Sequence, residues 1–362
     1  MKAMLLGKLS DFNTDPSPLH LEQVSDPVPS RGDVLLRVTR CAVCNTELDE
    51  IEGRTPPPQL PVILGHQVVG VVEEIRAPER GFLRARNSAS DPAISNTLAS
   101  ALRPGQRAGV AWIASACGHC EYCRSGRENL CPEFKATGRD INGGYAEFMT
   151  VRAEFVHSIP DSMTDSEAAP LLCAGAIGYR SLMLSNLQPG GRLGLMGFGG
   201  SNHLVLKVVR HKFPRSSVYV FSRSPQEREF ALSLGAAWAG AIDQIPPESL
   251  DAVIDTTPVW EPDLQALKRL KPGGRLVINA IRKQESDKQA LLSLDYASQL
   301  WMEKEIKSVA NVTRQDVREF LQLAAAAGLS PEFQEYPLED ANRALLEMKQ
   351  GQIRGAKVLK VL

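Results

Sequence analysis

Several absences narrow what this chain can be. No stretch approaches the about 20 consecutive apolar residues that a membrane-spanning helix requires, so no transmembrane segment is expected. Charge of neither sign dominates: 41 Lys and Arg stand against 42 Asp and Glu, for a formal net charge of -1. No basic stripe with interleaved aromatics appears, so neither nucleic acid nor a membrane surface is an expected partner. Internal repeats and long low-complexity tracts are also missing. The apolar touch at Met1–Gly7 meets polar and acidic residues by Asp11. It is too short for a leader's apolar region and is read as a first strand, with the chain expected in the cytoplasm.

What is present is enough chain for two domains: 362 residues, 43% of them hydrophobic. The first part reads as β-rich, with short β-branched runs at Val34–Val38, Val68–Val72 and Ala108–Trp112 punctuated by Pro and Gly. The pattern changes near Ile159-Pro160-Asp161. Thr164 and Glu167 form a capping box ahead of an apolar, mainly helical stretch, Ala168–Leu184. Strands and helices then alternate: strand Arg192–Gly197, helix Leu204–Lys212, strand Ser217–Phe221, helix Pro225–Leu234, strand Asp251–Thr256, helix Glu261–Leu270, a Pro272-Gly273-Gly274 turn, strand Arg275–Asn279. Such alternation predicts an α/β fold with a doubly wound parallel sheet. Helices at Arg314–Ala327 and Leu338–Gln350 and a late strand, Ala356–Leu362, follow. That strand suggests a return to the first domain. The expected division is therefore 1–158 with 297–362 as a discontinuous β-rich domain, and 159–296 as the parallel-sheet domain. The polar stretch Phe82–Leu102 reads as an inserted surface loop.

Seven cysteines are few, but four fall within fifteen residues: Cys117, Cys120, Cys123 and Cys131, spaced C-x2-C-x2-C-x7-C with Gly118 and Gly126 supplying turns. Four thiolates close a tetrahedral shell around Zn²⁺ and leave no open position, so this lobe, about 112–135, is expected to be structural. Two disulfides or an iron–sulfur cluster are the alternatives. Cys44, His66 and Cys173 are weaker signals, because a lone buried Cys or His is more often a core residue than a ligand. Gly197-Phe198-Gly199-Gly200-Ser201-Asn202 follows a strand and opens a helix, the context of a dinucleotide-binding turn. Asn202 replaces its third glycine, which predicts looser helix–strand packing.

Taken together, Cys44-Asn45-Thr46-Glu47, Gly65-His66-Gln67-Val68-Val69-Gly70, the four-cysteine lobe, Ala168-Ala169-Pro170-Leu171-Leu172-Cys173-Ala174-Gly175 and Gly197-Phe198-Gly199-Gly200 occur in the order of the zinc-dependent medium-chain alcohol dehydrogenases, which the chain resembles over essentially its whole length apart from Phe82–Leu102. The resemblance implies a GroES-like catalytic domain plus a Rossmann cofactor domain, and two Zn²⁺ per chain. It implies that Cys44, His66 and Cys173 hold a catalytic zinc with an open fourth position. Thr46 matches the hydroxyl that passes on the substrate proton, and Glu47 the acid, usually Asp, that orients the ligand His. Asp49 stands where many members carry a terminal relay His, so proton release uses Asp49, the ribose and water, or another route. Further departures are Gln67 for Glu beside the ligand His, Asn45 at a phosphate-contacting position, Ile177 for a Thr against the nicotinamide, and Ala356, with Arg354 near it, for a C-terminal Arg. Cys41 is read as core.

Gly197, Gly199 and Gly200 are the expected pyrophosphate contacts, with Ser222, Arg223 and Asn279 as further cofactor-binding candidates. NAD-preferring members place an acid where Ser222 sits. A neutral Ser beside Arg223 instead favours NADP(H) over NAD(H). Trp112, at a pocket-lining aromatic position, would narrow the site and favour small primary alcohols and unhindered aldehydes. Leu300 and Trp301 are weaker pocket candidates. The alternatives are a polyol, threonine or formaldehyde dehydrogenase of the same superfamily, a zinc-free quinone reductase, or a non-catalytic nucleotide-binding sensor keeping only the structural zinc. A homodimer or homotetramer is expected, as is usual in the family.

Overall fold

The computed structural model describes residues 1–77, 102–351 and 355–362. Apart from Leu102, the expected loop Phe82–Leu102 lies outside the described residues, and so does Arg354. The described chain forms two compact units: Met1–Cys173 with Asn311–Ala325 and Ser330–Leu362, and Ala174–Ala310 with Ala326–Leu329.

In chain order, the first unit begins with strands β1 (Lys2–Leu6), β2 (Leu19–Gln23) and β3 (Asp33–Val43), helix α1 (Asn45–Ile51), and strands β4 (Val62–Ile63), β5 (Gln67–Ile75), β6 (Arg107–Val110) and β7 (Ile113–Ser115). Helix α2 (Glu121–Arg124), strands β8 (Lys135–Ala136), β9 (Phe148–Arg152) and β10 (Val156–Ser158), and helix α3 (Asp165–Pro170) complete its first segment. The second unit holds helix α4 (Ala176–Leu184) and strand β11 (Arg192–Met196), α5 (Asn202–Lys212) and β12 (Ser217–Phe221), α6 (Pro225–Ser233) and β13 (Trp238–Gly240), β14 (Leu250–Asp255), α7 (Glu261–Arg269), β15 (Leu270–Ile278), α8 (Tyr296–Gln299) and β16 (Glu305–Ser308). The chain then returns through α9 (Arg314–Ala326), β17 (Phe333–Pro337), α10 (Ala341–Lys349) and β18 (Ala356–Lys360).

In the first unit the main sheet runs β10-β6-β5-β3-β18-β17, with β9 also paired to β3. Val34, Leu36 and Val38 alternate inward along β3 and pack into a core with Val68, Val72, Val110, Met149 and Leu359. The late strand does come back: β18 pairs antiparallel with β3, Lys357 opposite Val43 through Lys360 opposite Arg40. In the second unit six parallel strands run β13-β12-β11-β14-β15-β16. The order reverses at β11, so the crevice outside the carboxyl ends of β11 and β14 is the topological switch point.

Two boundaries differ from expectation. The first unit extends to Cys173, beyond the expected 158, because α3 belongs to the β-rich unit: Arg107 Nε and Thr39 Oγ1 both bond the Asp165 carboxylate, at 2.8 and 2.5 Å. At the other end the division falls at Asn311, not 297, because β16 joins the parallel sheet beside β15. The Pro272-Gly273-Gly274 turn survives as a bulge inside β15, where the register with β14 jumps from Leu250 opposite Leu270 to Ala252 opposite Arg275.

His157, the middle residue of β10, is 2% exposed, and neither ring nitrogen has a hydrogen-bond partner among the described residues. Burial, aided by Arg318 and Arg314, holds its pKa down to about 3. The unfolded chain therefore takes up this proton near pH 6.5 while the folded chain does not, so stability is lost as pH falls from there towards 3. At pH 5 the loss is on the order of 2 kcal/mol. His157→Leu is expected to flatten this acid limb in denaturant midpoints measured from pH 7 to 4.5.

Candidate active site and cofactor turn

Three distant segments deliver three donor atoms to one place. The Sγ atoms of Cys44 and Cys173 and a ring nitrogen of His66 lie within 4.8 Å of one another. Cys44 directly follows β3 and is the N-cap residue of α1. His66 follows Gly65, whose φ of +96° and lack of room for a Cβ (2.4 Å from the Tyr145 ring) admit only glycine. Cys173 sits in a π-helical turn, Leu171–Gly175, behind Pro170 at the end of α3. The Thr164/Glu167 capping box that starts α3 forms as expected, Glu167 N to Thr164 Oγ1 and Thr164 N to Glu167 Oε2.

Glu47 ties two of these segments together. One carboxylate oxygen accepts the Cys44 backbone N–H at 2.8 Å, and the other lies 2.6 Å from His66 Nδ1. Because Glu47 approaches Nδ1, the opposite nitrogen Nε2, buried and without a hydrogen-bond partner among the described residues, is the one free to bind a metal. Burial would depress the imidazole pKa, but the charge of Glu47 and contact with Cys44 outweigh it and raise it. Contact between the two sulfurs drives them apart, Cys44 well below and Cys173 well above an ordinary thiol. Thr46 Oγ1 stands 3.5 Å from Cys44 Sγ. Asp49 is nearly buried and its carboxylate accepts from Arg54 Nε at 2.5 Å. Two sulfurs, an orphaned nitrogen and an acid that sets the tautomer are a donor set suited to zinc. Cys41 is fully buried in the core.

The four-cysteine lobe is equally consistent with a metal. All four sulfurs lie within 4.8 Å of one another, and the cysteines are free. Cys117 and Cys123 are 3.9 Å apart, near the about 3.8 Å edge of a tetrahedron with Zn–S bonds of about 2.3 Å and far from a disulfide's about 2.05 Å. Backbone N–H donation, from His119 foremost, brings Cys117 down to about 6, while burial pushes the Cys123 and Cys131 thiols up.

In the second unit Gly197 has φ +75°, and a Cβ there would meet Thr256 Oγ1 and Thr257 Cγ2 at 3.2 and 3.3 Å. Gly199 and Gly200 are open to solvent-side approach, with at most one distant neighbour. Asn202 does not loosen the packing. It is fully buried, and its Nδ2 donates to Met196 O, Gly197 O and Thr256 Oγ1, at 3.1, 2.8 and 3.1 Å, stapling α5 to the ends of β11 and β14. Ser222 is buried and donates to Glu227, whereas Arg223 is exposed. Arg228, which sequence reasoning missed, donates to the Ser222 and Arg223 carbonyls at 2.7 and 3.0 Å. Asn279 directly follows β15, its N–H bonded to Asp255 O at 2.7 Å.

Trp112 is half-buried between Phe134, 5.4 Å away, and the Arg139 guanidinium at 6.0 Å. Leu300 packs against the second unit's core, and Trp301 is 56% exposed against Tyr296. Glu50 on α1 was also missed. It is 1% exposed, with neither carboxylate oxygen hydrogen-bonded among the described residues, and burial together with Glu47 raises its pKa. One acid more in an acidic helix carries no sequence signal that could have singled it out.

Comparison with known proteins agrees with this geometry. Residues 30–161 match the alcohol dehydrogenase GroES-like domain, and residues 236–359 match the zinc-binding dehydrogenase domain. A probable alcohol dehydrogenase, AdhA, of Mycobacterium tuberculosis is 41% identical over 96% of this chain and 94% of its own. An alcohol dehydrogenase of Geobacillus stearothermophilus is 32% identical over 95% of this chain and 96% of its own. Among solved structures, a cinnamyl alcohol dehydrogenase of Sorghum bicolor superimposes with a TM-score of 0.80 at 25% identity, covering 99% of this chain and 97% of the other. With relatives matched end to end and the donor atoms of separate segments converging as a zinc enzyme needs, the chain belongs to the zinc-type medium-chain alcohol dehydrogenases, which use a nicotinamide cofactor to interconvert alcohols with aldehydes or ketones.

Proposed function

We propose that Cys44, His66 and Cys173 hold a catalytic zinc, that Cys117, Cys120, Cys123 and Cys131 hold a structural one, and that the enzyme interconverts small primary alcohols and aldehydes with NADP(H) in preference to NAD(H). The observation that carries the reading is the approach of three donors from three segments to within 4.8 Å. A zinc ion with three protein ligands keeps an open position and supplies Lewis acidity towards an alcohol or carbonyl oxygen. The protein's own groups do the rest. Glu47 holds the His66 ring in the tautomer and orientation that present Nε2. The Thr46 hydroxyl, beside Cys44, accepts the substrate's hydroxyl proton as it passes its own proton on. Asp49, less than one turn further along α1, receives it.

On the cofactor side, Gly197, Gly199 and Gly200 let the backbone approach the pyrophosphate at the N-terminus of α5. Asn279 lies at the carboxyl end of β15, beside the switch point. Arg223 and Arg228 supply two guanidiniums beside the neutral Ser222, and against the single Glu227 carboxylate that Ser222 meets they leave a net positive charge that favours a 2′-phosphate. Trp112 supports a preference for unbranched substrates. The outer strand β16 is exposed along its length, and exposed Leu292, Tyr296, Trp301 and Met302 flank it in sequence, which supports a homodimer or homotetramer built on this edge. Seven free cysteines suit a reducing cytoplasm. Among the described residues no helix is long and apolar enough to cross a membrane.

Steady-state kinetics on a panel of primary and secondary alcohols and aldehydes with both cofactors, beside metal analysis, test the reading. The expected result is two Zn²⁺ per chain and a kcat/KM at least tenfold higher with NADP(H). A clear preference for NAD(H) refutes the cofactor assignment, and faster turnover of bulky secondary alcohols refutes the narrow pocket.

A further inference from the structure

Lys283 is an unusual lysine. It lies in the loop after β15, and its side chain is 7% exposed. Its ammonium group meets Asp255 Oδ2 at 2.5 Å, Asp263 Oδ2 at 2.7 Å, Val259 O at 2.9 Å and Thr257 O at 3.1 Å, with the Trp260 ring 5.7 Å away. Two of these partners are the carbonyls of one short loop, residues 256–260, which leaves β14 at the switch point. Asp255 is the last residue of β14 and Asp263 lies in the first turn of α7, so one cation holds both ends and the middle of that loop. Neighbouring bonds act in the same sense: Gln284 N donates to Pro258 O at 2.6 Å, and Trp260 N to Asp287 Oδ2 at 2.7 Å.

The clamped loop in turn forms one side of the glycine turn. Thr256 Oγ1 donates to Met196 O and accepts from Asn202 Nδ2, both at 3.1 Å. Thr256 and Thr257 are the groups that a Cβ on Gly197 would strike. A continuous set of bonds thus runs from Lys283 through residues 256–257 to the backbone that must approach a pyrophosphate. Nothing in the reading of this chain as a dehydrogenase requires a buried lysine here, and a lysine enclosed by two carboxylates is costly to desolvate unless all its protons are used.

We propose that Lys283 is a positioning residue for the nicotinamide cofactor: by clamping the loop after β14 it preorganises the wall of the cofactor crevice at the Gly197 turn. The inference rests on the assignment of that crevice to the cofactor.

The test is titration calorimetry of NADPH and NADH into the zinc-loaded enzyme, with Lys283→Met and Lys283→Arg beside the parent, together with metal content and KM for the alcohol at saturating cofactor. Lys283→Met is expected to raise the cofactor dissociation constant at least tenfold while two Zn²⁺ per chain are retained and the alcohol KM stays within threefold. Lys283→Arg, whose planar fork cannot reproduce the four contacts, is expected to raise it at least threefold. A variant with a lower Tm but a cofactor dissociation constant within twofold of the parent reduces the cluster to a structural role and overturns the proposal. If Lys283→Met does not accumulate as folded protein, the Arg variant decides on the same criterion. A parent that binds neither cofactor defeats the assignment of the crevice itself. A parent that binds beside insensitive variants defeats only the role of Lys283.

Discussion

Cys173→Ala is expected to lower kcat/KM for alcohol oxidation on the order of a thousand-fold or more, and to reduce the metal content from two zinc ions per chain to one. Lewis-acid stabilisation by a bound metal is worth several kcal/mol, and each step of about 1.4 kcal/mol is tenfold in rate. Among the described residues the site offers three protein donors, so removing one sulfur leaves a thiolate and an imidazole, too few to retain zinc against buffer. The fold should tolerate the change. Cys173 occupies a π-helical turn whose neighbours Leu171 and Leu172 are fully buried and keep their packing. The measurement is paired: zinc by elemental analysis and kcat/KM with a primary alcohol. Full activity in a variant that has lost one zinc would refute the assignment of these three residues.

Cys123→Ser should act on stability instead. The lobe around residues 112–135 has almost no apolar core of its own. Helix α2 is four residues long and buries none of them, and β7 and β8 form only a two-stranded pair. Ile113, Ala116 and Phe134 anchor its base on the first unit's core, but elements this small between Cys117 and Cys131 do not hold their shape without a cross-link. On the proposed assignment a structural zinc supplies that link, and apparent binding free energies in small zinc domains are roughly 10 kcal/mol or more. Losing one of four ligands is expected to remove this ion, open the Cys120–Cys131 segment to trypsin at Arg124 and Arg127, and lower Tm by roughly 10 °C. Cys44, His66 and Cys173 should still hold their zinc. A variant with unchanged Tm and protease pattern would mean that the lobe is held by something other than the metal.

How much of this was legible beforehand follows from the range of the interactions. The capping box at Thr164 and Glu167, the C-x2-C-x2-C-x7-C lobe, the alternating strands and helices of the second unit and the glycine turn are set by residues a few positions apart. Spacing alone therefore determines which groups can meet, and the parallel α/β architecture follows from the order of the elements. The tertiary structure decided what lies beyond that range. Cys44, His66 and Cys173 are individually unremarkable, and only the pairing of β3 with β5 and the packing of α3 against them bring their donors within 4.8 Å. Asn202 was expected to loosen the packing of helix on strand, because a side chain in place of glycine takes space. Its amide instead finds three acceptors at and just beyond the ends of two strands, with Met196 and Thr256 60 residues apart in sequence. The boundary at 173 and the role of β16 depended likewise on which sheet each element joined. Local pattern determines what a segment is, but burial and hydrogen bonding between distant segments determine what its polar groups face, and in this protein that is where the chemistry is assembled.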